Sequence, residues 1–482
     1  MRAEIRNRQT FSGLLLLSLV LAVILIIVFL MPLEPSDYWT YLRIGEEIAR
    51  TRALPETEFM SFASGGQAGV YSYWLASLLF LGVSQAGGLA LTALVTGVCV
   101  VTLYAFVWLC LREFKLGPVS AALILLLTAL MGSNNWSTRP QVFALPLFGA
   151  SLYLLVHWLK GQSRTLWFLP VIAVLWTNLH GSFVLLFILI GSALVAGGGK
   201  RKILAWVLLA CLAATLLNPY GIGIWGNTFA MIGNDAISKF SSEWQPPVNL
   251  GWQMNLFFAS FLVIILVSAC TKQKVKPLWW VWFLGFGWMA LSSLRYVLWF
   301  SVLVGLLLAQ LSEPWLTKTL DRKPILPIRA FNLALALLLL GSTLAFLPGI
   351  RQRWWVQASE NLTSSTPVEA ATWLRQHPDL PDNVWANWAA SIYMSYAVPE
   401  RKVWMTNRIE DYEEQVLEDN KRLARAAYDW AEILEGYEIN TLLLDQEYDE
   451  RLLEAALLTG EWQPVYQDEK SQILIRQGSE RP

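Results

Sequence analysis

Apolar runs of membrane-spanning length recur along the chain, near 13–31, 88–111, 118–132, 141–159, 165–178, 182–197, 203–217, 254–270, 277–292, 296–311 and 330–347. Such runs predict helices, because a helix satisfies its own backbone polar groups where no water can. One more stretch, 71–84, is short, aromatic at its start and followed by Gly87-Gly88. It reads as a segment lying in the membrane interface. Beyond about residue 351 the pattern changes. Helices are predicted at 367–377, 409–426, 429–436 and 448–459, and strands at 384–388, 402–406, 439–444, 463–467 and 471–476.

Charge decides the sidedness. The net charge of zero hides an asymmetry: residues 1–350 hold 23 Lys and Arg against 12 Asp and Glu, and residues 351–482 hold 13 against 24. If 71–84 does not cross, 17 of the 23 basic residues of the body fall in cytoplasmic loops, as the positive-inside rule requires. The expected fold is an all-α polytopic body over 1–350 with about eleven transmembrane helices and a cytoplasmic N-terminus, followed by a small extracytoplasmic α/β domain over 351–482. Basic residues Arg2, Arg6 and Arg8 before Phe11–Met31 resemble a signal peptide, but the run is long and lacks a small-residue cleavage site, so it reads as a retained anchor. The four cysteines all lie in apolar segments, at no disulfide or metal spacing.

This topology gathers the polar loops on the outer face: 32–75, 133–141, 177–183, 218–247 and 292–296. A membrane-surface enzyme would build its site from such loops. Asp37, just after the first span, is a candidate general base or metal ligand; the alternative is a solvated Asp in a Ser36-Asp37 N-cap. Arg139 and Arg295 oppose the positive-inside rule, and each offers a bidentate fork for a phosphate, with snorkelling as the alternative. His180 is a candidate proton carrier or phosphate contact, or a locally bonded loop histidine. Glu243, and behind it Asp235, offers a second carboxylate that would split acid and base roles with Asp37 or share a divalent cation, magnesium or manganese. Trp39, Trp136 and Trp244 lie beside these residues, placed to stack on a sugar ring or simply to sit in the interface belt. No Walker A loop, Rossmann glycine pattern, G-x-S-x-G or HExxH occurs, which argues against a nucleotide-driven pump or a zinc protease.

Read in order, the residues resemble the GT-C superfamily of polytopic glycosyltransferases, and within it a bacterial branch related to protein mannosyltransferases and aminoarabinose transferases. The resemblance rests on Asp37, Trp39, Leu42, Gly45, Pro55, Ser61-Phe62 and Trp74-Leu75 in the first outer loop. It continues through Arg139–Gln141, Asn178–Phe183, Asn218–Gly221, Glu243–Pro247 and Arg295. The chain departs from the pattern where Tyr38 follows Asp37 in place of a second acid, where Tyr41 replaces a histidine, and where Thr406-Asn407-Arg408 replaces Asp-Gly-Arg.

The resemblance implies an enzyme of the bacterial inner membrane. Its donor would be a polyprenyl-phosphate-linked sugar and its acceptor a glycan, lipid or protein, with membrane lipids around it and no nucleic-acid partner. Transfer would invert the anomeric centre, with Asp37 as base and Arg139, Arg295 and His180 stabilising the departing phosphate. A transporter or flippase of lipid-linked saccharides, or a non-catalytic assembly scaffold, is the competing reading. The flippase predicts polar groups near the bilayer midplane, which these spans lack.

Overall fold

The computed structural model describes residues 2–33, 37–64, 66–320, 329–351, 362 and 366–478. Ser36, half of the expected N-cap, and Arg322 and Lys323 of the cytoplasmic loops lie outside them. The chain forms two compact units, one from 1–31, 87–226 and 241–359, the other from 32–86, 227–240 and 360–482. The second unit takes in 32–86 and 227–240 besides the residues after 359. The first outer loop clusters with the tail, because hydrogen bonds and ring contacts join the two.

The first unit is helical. Each of its expected apolar segments contains a helix, from Arg2–Leu30 to Arg329–Ser342. Among the described residues six helices are long and apolar enough to cross a membrane, which makes this a multi-pass membrane protein. Helix Val297–Thr319 is the most enclosed and packs on Pro118–Gly132. Glycines set that crossing. A Cβ on Gly305 would run into Thr128 Oγ1, and one on Gly132 would lie 2.7 Å from Ser301 Oγ. Small residues at the contact let the two backbones approach closely, the usual solution where lipid removes the hydrophobic drive between helices. Helix Gly251–Cys270, by contrast, buries only Met254, Phe257 and Ile264 and leaves Leu262, Ile265 and Leu266 exposed, the pattern of a lipid-facing helix.

The forty-residue helix Trp74–Glu113 is interrupted at Gly87 and Gly88, where Gly88 takes φ +57° and ψ −148°, a conformation open to glycine alone without large strain. The segment before the break belongs to the second unit and the segment after it to the first. The aromatic stretch and the span that follows it are therefore separate pieces, as the Gly-Gly pair predicted.

In the second unit, helices Tyr38–Thr51 and Trp74–Ala86 cross at Gly45, whose added Cβ would meet the Ser77 carbonyl at 2.6 Å. The tail folds as α/β. Its strands β1 (Val384–Ala386), β2 (Thr441–Asp445), β3 (Trp462–Gln467) and β4 (Ser471–Arg476) form one sheet in the order β1-β2-β4-β3. β1 runs parallel to β2, and the other pairs are antiparallel. Leu443 and Ile473 on one face pack with Ala370, Leu374, Met394 and Val403. No strand forms over 402–406, where only Val403 makes single bridges, to Ser61 and Val384, since Trp404 and Thr406 spend their backbone on side-chain partners. A helix absent from the sequence reading, Trp388–Ala397, is capped by Asn387, whose side chain accepts from Ala390 N–H at 3.0 Å. Helix Asp235–Phe240 joins this unit through Lys239, paired with Glu414 at 2.7 Å and Glu418 at 2.6 Å.

Candidate functional site

Asp37 stands at the N-cap of helix Tyr38–Thr51, yet its carboxylate makes no capping bond to the helix backbone. Instead Asp37 Oδ1 accepts from Asn407 Nδ2 at 2.6 Å. The Tyr41 hydroxyl lies 3.5 Å from the same amide nitrogen. The positive end of the helix macrodipole also favours an anion at this position.

What brings Asn407 there is a lattice of bonds between loop 56–73 and segment 403–412. Val403 N–H donates to Met60 O at 2.8 Å and Phe62 N–H to Val403 O at 3.0 Å, while Ser61 Oγ donates to Trp404 O at 2.6 Å. Thr406 N–H donates to the Tyr412 hydroxyl at 2.8 Å. Arg408, with 2 % of its side chain exposed, is paired with Asp411 through both carboxylate oxygens. It donates to the Tyr73 hydroxyl at 2.6 Å and lies over the Tyr71 ring, 4.2 Å from its centre. Glu58 is equally buried. Its carboxylate accepts from the N–H groups of Ser61 at 2.6 Å and Met60 at 3.0 Å and from Ser64 Oγ at 3.1 Å. Burial raises its pKa and these bonds hold the rise back.

In the first unit a second cluster forms from loops 133–141, 241–247 and 292–296. Arg139 and Glu243 make an ion pair. The Arg295 guanidinium lies over the Trp244 ring, 4.4 Å from its centre, and among the described residues no acidic side chain pairs with it. Backbone bonds hold the loops in register: Asn135 Nδ2 donates to Arg295 O at 3.0 Å, Leu294 N–H to Gln245 O at 2.9 Å, and Ser293 Oγ to Glu243 O at 2.9 Å. His180, in the turn between two apolar helices, feels the Arg295 charge. Burial first and Arg295 second lower its pKa to about 3. Its Nδ1 accepts from Ser182 N–H at 3.1 Å and sits 2.7 Å from Ser182 Oγ, which in turn accepts from Trp176 Nε1 at 3.0 Å. The proton of the neutral ring therefore sits on Nε2, leaving a hydrogen-bond donor and no cation.

Three expected roles change. Trp39 is 7 % exposed, its ring against Tyr38, Tyr393 and Tyr396, so it is a core residue with no open face for a sugar. Trp136 is likewise buried, against Tyr104. Glu243, expected as a second carboxylate, is engaged by Arg139. Trp244 is half-buried and carries Arg295 on its ring. Among the described residues no group of three His, Cys, Asp or Glu side chains is placed to hold a divalent cation, and Asp37 Oδ1 faces an amide N–H. Sequence reading missed Glu58, Asn407 and Asp411. Only the position of Asn407 and Arg408 in the departing Thr406-Asn407-Arg408 motif marked that stretch at all.

No protein-family model matches the chain, and no curated protein matches its sequence. Solved structures do match in fold. An archaeal oligosaccharyltransferase, AglB from Archaeoglobus fulgidus in complex with an inhibitory peptide and a dolichol-phosphate, aligns over 96% of this chain and 75% of its own at 13% identity and TM-score 0.56. ArnT from Cupriavidus metallidurans, bound to undecaprenyl phosphate, aligns over 96% and 98% at 12% identity and TM-score 0.50. The arabinofuranosyltransferase AftD from Mycobacteria aligns over 95% of this chain but 41% of its own, at 13% identity and TM-score 0.58. The chain has the fold of these membrane glycosyltransferases, as its resemblance to the GT-C superfamily implied.

Proposed function

We propose that this protein is a membrane glycosyltransferase that moves a sugar from a polyprenyl-phosphate carrier to an acceptor at the extracytoplasmic face of the bacterial inner membrane. The observation that carries the reading is the fold likeness over 96% of the chain to transferases solved with dolichol-phosphate and with undecaprenyl phosphate. About eleven spans place the N-terminus in the cytoplasm and the tail outside, by the charge of the loops.

Asp37 takes the proton of the acceptor hydroxyl. The freed oxygen forms the new bond to the anomeric carbon from the face opposite the phosphate, so the centre inverts. The bond from that carbon to the phosphate oxygen breaks, and the electron pair leaves on the polyprenyl phosphate. Of the two arginines, Arg295 is assigned that developing charge, because Arg139 is already balanced by Glu243. His180, neutral, contributes a hydrogen bond from Nε2. A lipid-bound donor cannot leave the bilayer, which gives the membrane-surface site its reason.

The test is transfer from a labelled panel of polyprenyl-phosphate sugars by the purified full chain, with Asp37→Asn beside it and with and without chelator. Asp37→Asn should lose about 10²–10⁴-fold in kcat, and a wild-type rate lost in chelator would show a divalent-cation requirement. Binding of such lipids without transfer to glycan, lipid or protein acceptors would overturn the enzyme reading in favour of a transporter or scaffold.

A further inference from the structure

Resting on the reading of Asp37 as the base, we infer that Asn407 is the residue that aims it, which makes segment 403–412 of the tail part of the catalytic apparatus. An ionised carboxylate only accepts, so the Asn407 amide must turn its NH₂ toward Asp37, and the 2.6 Å contact fixes which way the amide faces. Turned that way, Asn407 leaves its own Oδ1 buried with no hydrogen-bond partner among the described residues. Most buried amides are bonded at both ends. This one gives up one end to hold the other on the carboxylate.

The amide is also held from both sides in sequence. Thr406 is fixed by the Tyr412 hydroxyl and Arg408 by Asp411 and Tyr73, so Asn407 has little freedom to swing away. A charge-assisted bond from a neutral donor orients Asp37 without adding a second charge that would compete for the proton. A carboxylate in its place would be a like charge at hydrogen-bond distance, and the pair would share a proton.

The experiment compares Asn407→Ala and Asn407→Asp with wild type and Asp37→Asn, full chain, in the transfer assay above, over a range of pH. Asn407→Ala should lose about 10²-fold in kcat, the cost of a catalytic group misaimed by an ångström, with KM for the lipid donor unchanged. Asn407→Asp, nearly isosteric, should keep the wild-type thermal midpoint while the acid limb of its pH–rate profile moves upward. If Asp37→Asn is inactive but Asn407→Ala keeps the wild-type kcat, or Asn407→Asp keeps the wild-type profile, the positioning role is overturned and the base assignment stands. If Asp37→Asn transfers as well as wild type, the base assignment fails and the role of Asn407 falls with it.

Discussion

Arg408→Ala tests how loop 56–73 and segment 403–412 are joined. The wild-type guanidinium and the Asp411 carboxylate have side-chain exposures of 2 % and 3 %, so neither charge can turn to solvent when its partner goes. The alanine variant loses the two bonds to Asp411, the bond to Tyr73 and the contact with the Tyr71 ring. Breaking a buried pair from one side costs about 3–5 kcal/mol, because the remaining charge stays buried without compensation. At 1.4 kcal/mol per factor of ten, local opening should become about 10² to 4 × 10³-fold more frequent. Hydrogen exchange by mass spectrometry on the full chain reads this at the Phe62 and Val403 amides, which bridge the two segments. Removing both charges, in Arg408→Met with Asp411→Leu, should restore most of the protection. Burial already raises the Glu410 pKa against the pull of Arg408. Glu410 should therefore take up a proton once Arg408 is gone, and the defect should shrink on acidification. Exchange at Phe62 and Val403 that is unchanged in Arg408→Ala would refute the reasoning.

Three further outcomes are expected. Gly45→Ala should destabilise the second unit by about 1–3 kcal/mol, because its Cβ meets backbone rather than a movable side chain; thermal unfolding of the full chain checks this. Burial raises the Asp449 pKa to about 6 from 3.8, outweighing bonds from the Asp445 N–H and Asn387 Nδ2 that lower it. A raised folded pKa means stability fully present below the unfolded value and lost as pH rises through the folded one, here between about pH 4 and 6, and on the order of 3 kcal/mol. Asp449→Asn should therefore gain on wild type in thermal midpoint as pH rises from 4 to 7, and a constant difference would refute the assignment. Arg295→Ala should lower kcat by about 10²–10³-fold, with Arg295→Lys intermediate because it keeps the charge but loses the planar contact with Trp244; single-turnover kinetics would show the loss in the chemical step.

Local pattern was the legible part of this molecule. β2 and β4 read correctly because short apolar runs end at turn residues, and the break at Gly87-Gly88 was visible because two adjacent glycines seldom continue a helix. Helix Trp388–Ala397 was not legible, since apolar and small residues surround it on every side and its only start signal is Asn387. The predicted helix over 409–426 begins in fact as a short 3₁₀ turn, Ile409–Asp411, and resumes at Glu414, because the Arg408–Asp411 pair closes a tight turn there. Asp37 and Arg295 could be singled out as candidates from where they stand in the sequence. Their partners could not. Trp39 looked available for a sugar until the aromatic residues of an unpredicted helix covered it, and Asn407 reaches Asp37 from 370 positions away.

That separation sets a timetable for the protein's making. A ribosome adding about 5–20 residues per second needs roughly 20–75 s to travel from Asp37 to Asn407. Through that interval the first loop is already synthesised while the chain that will hold its carboxylate does not yet exist. Loop 56–73, with its buried Glu58, waits as long for Val403, Trp404 and Arg408. A nascent chain stalled or cut before residue 403 would thus carry every described helix of the first unit and still lack the amide that meets Asp37.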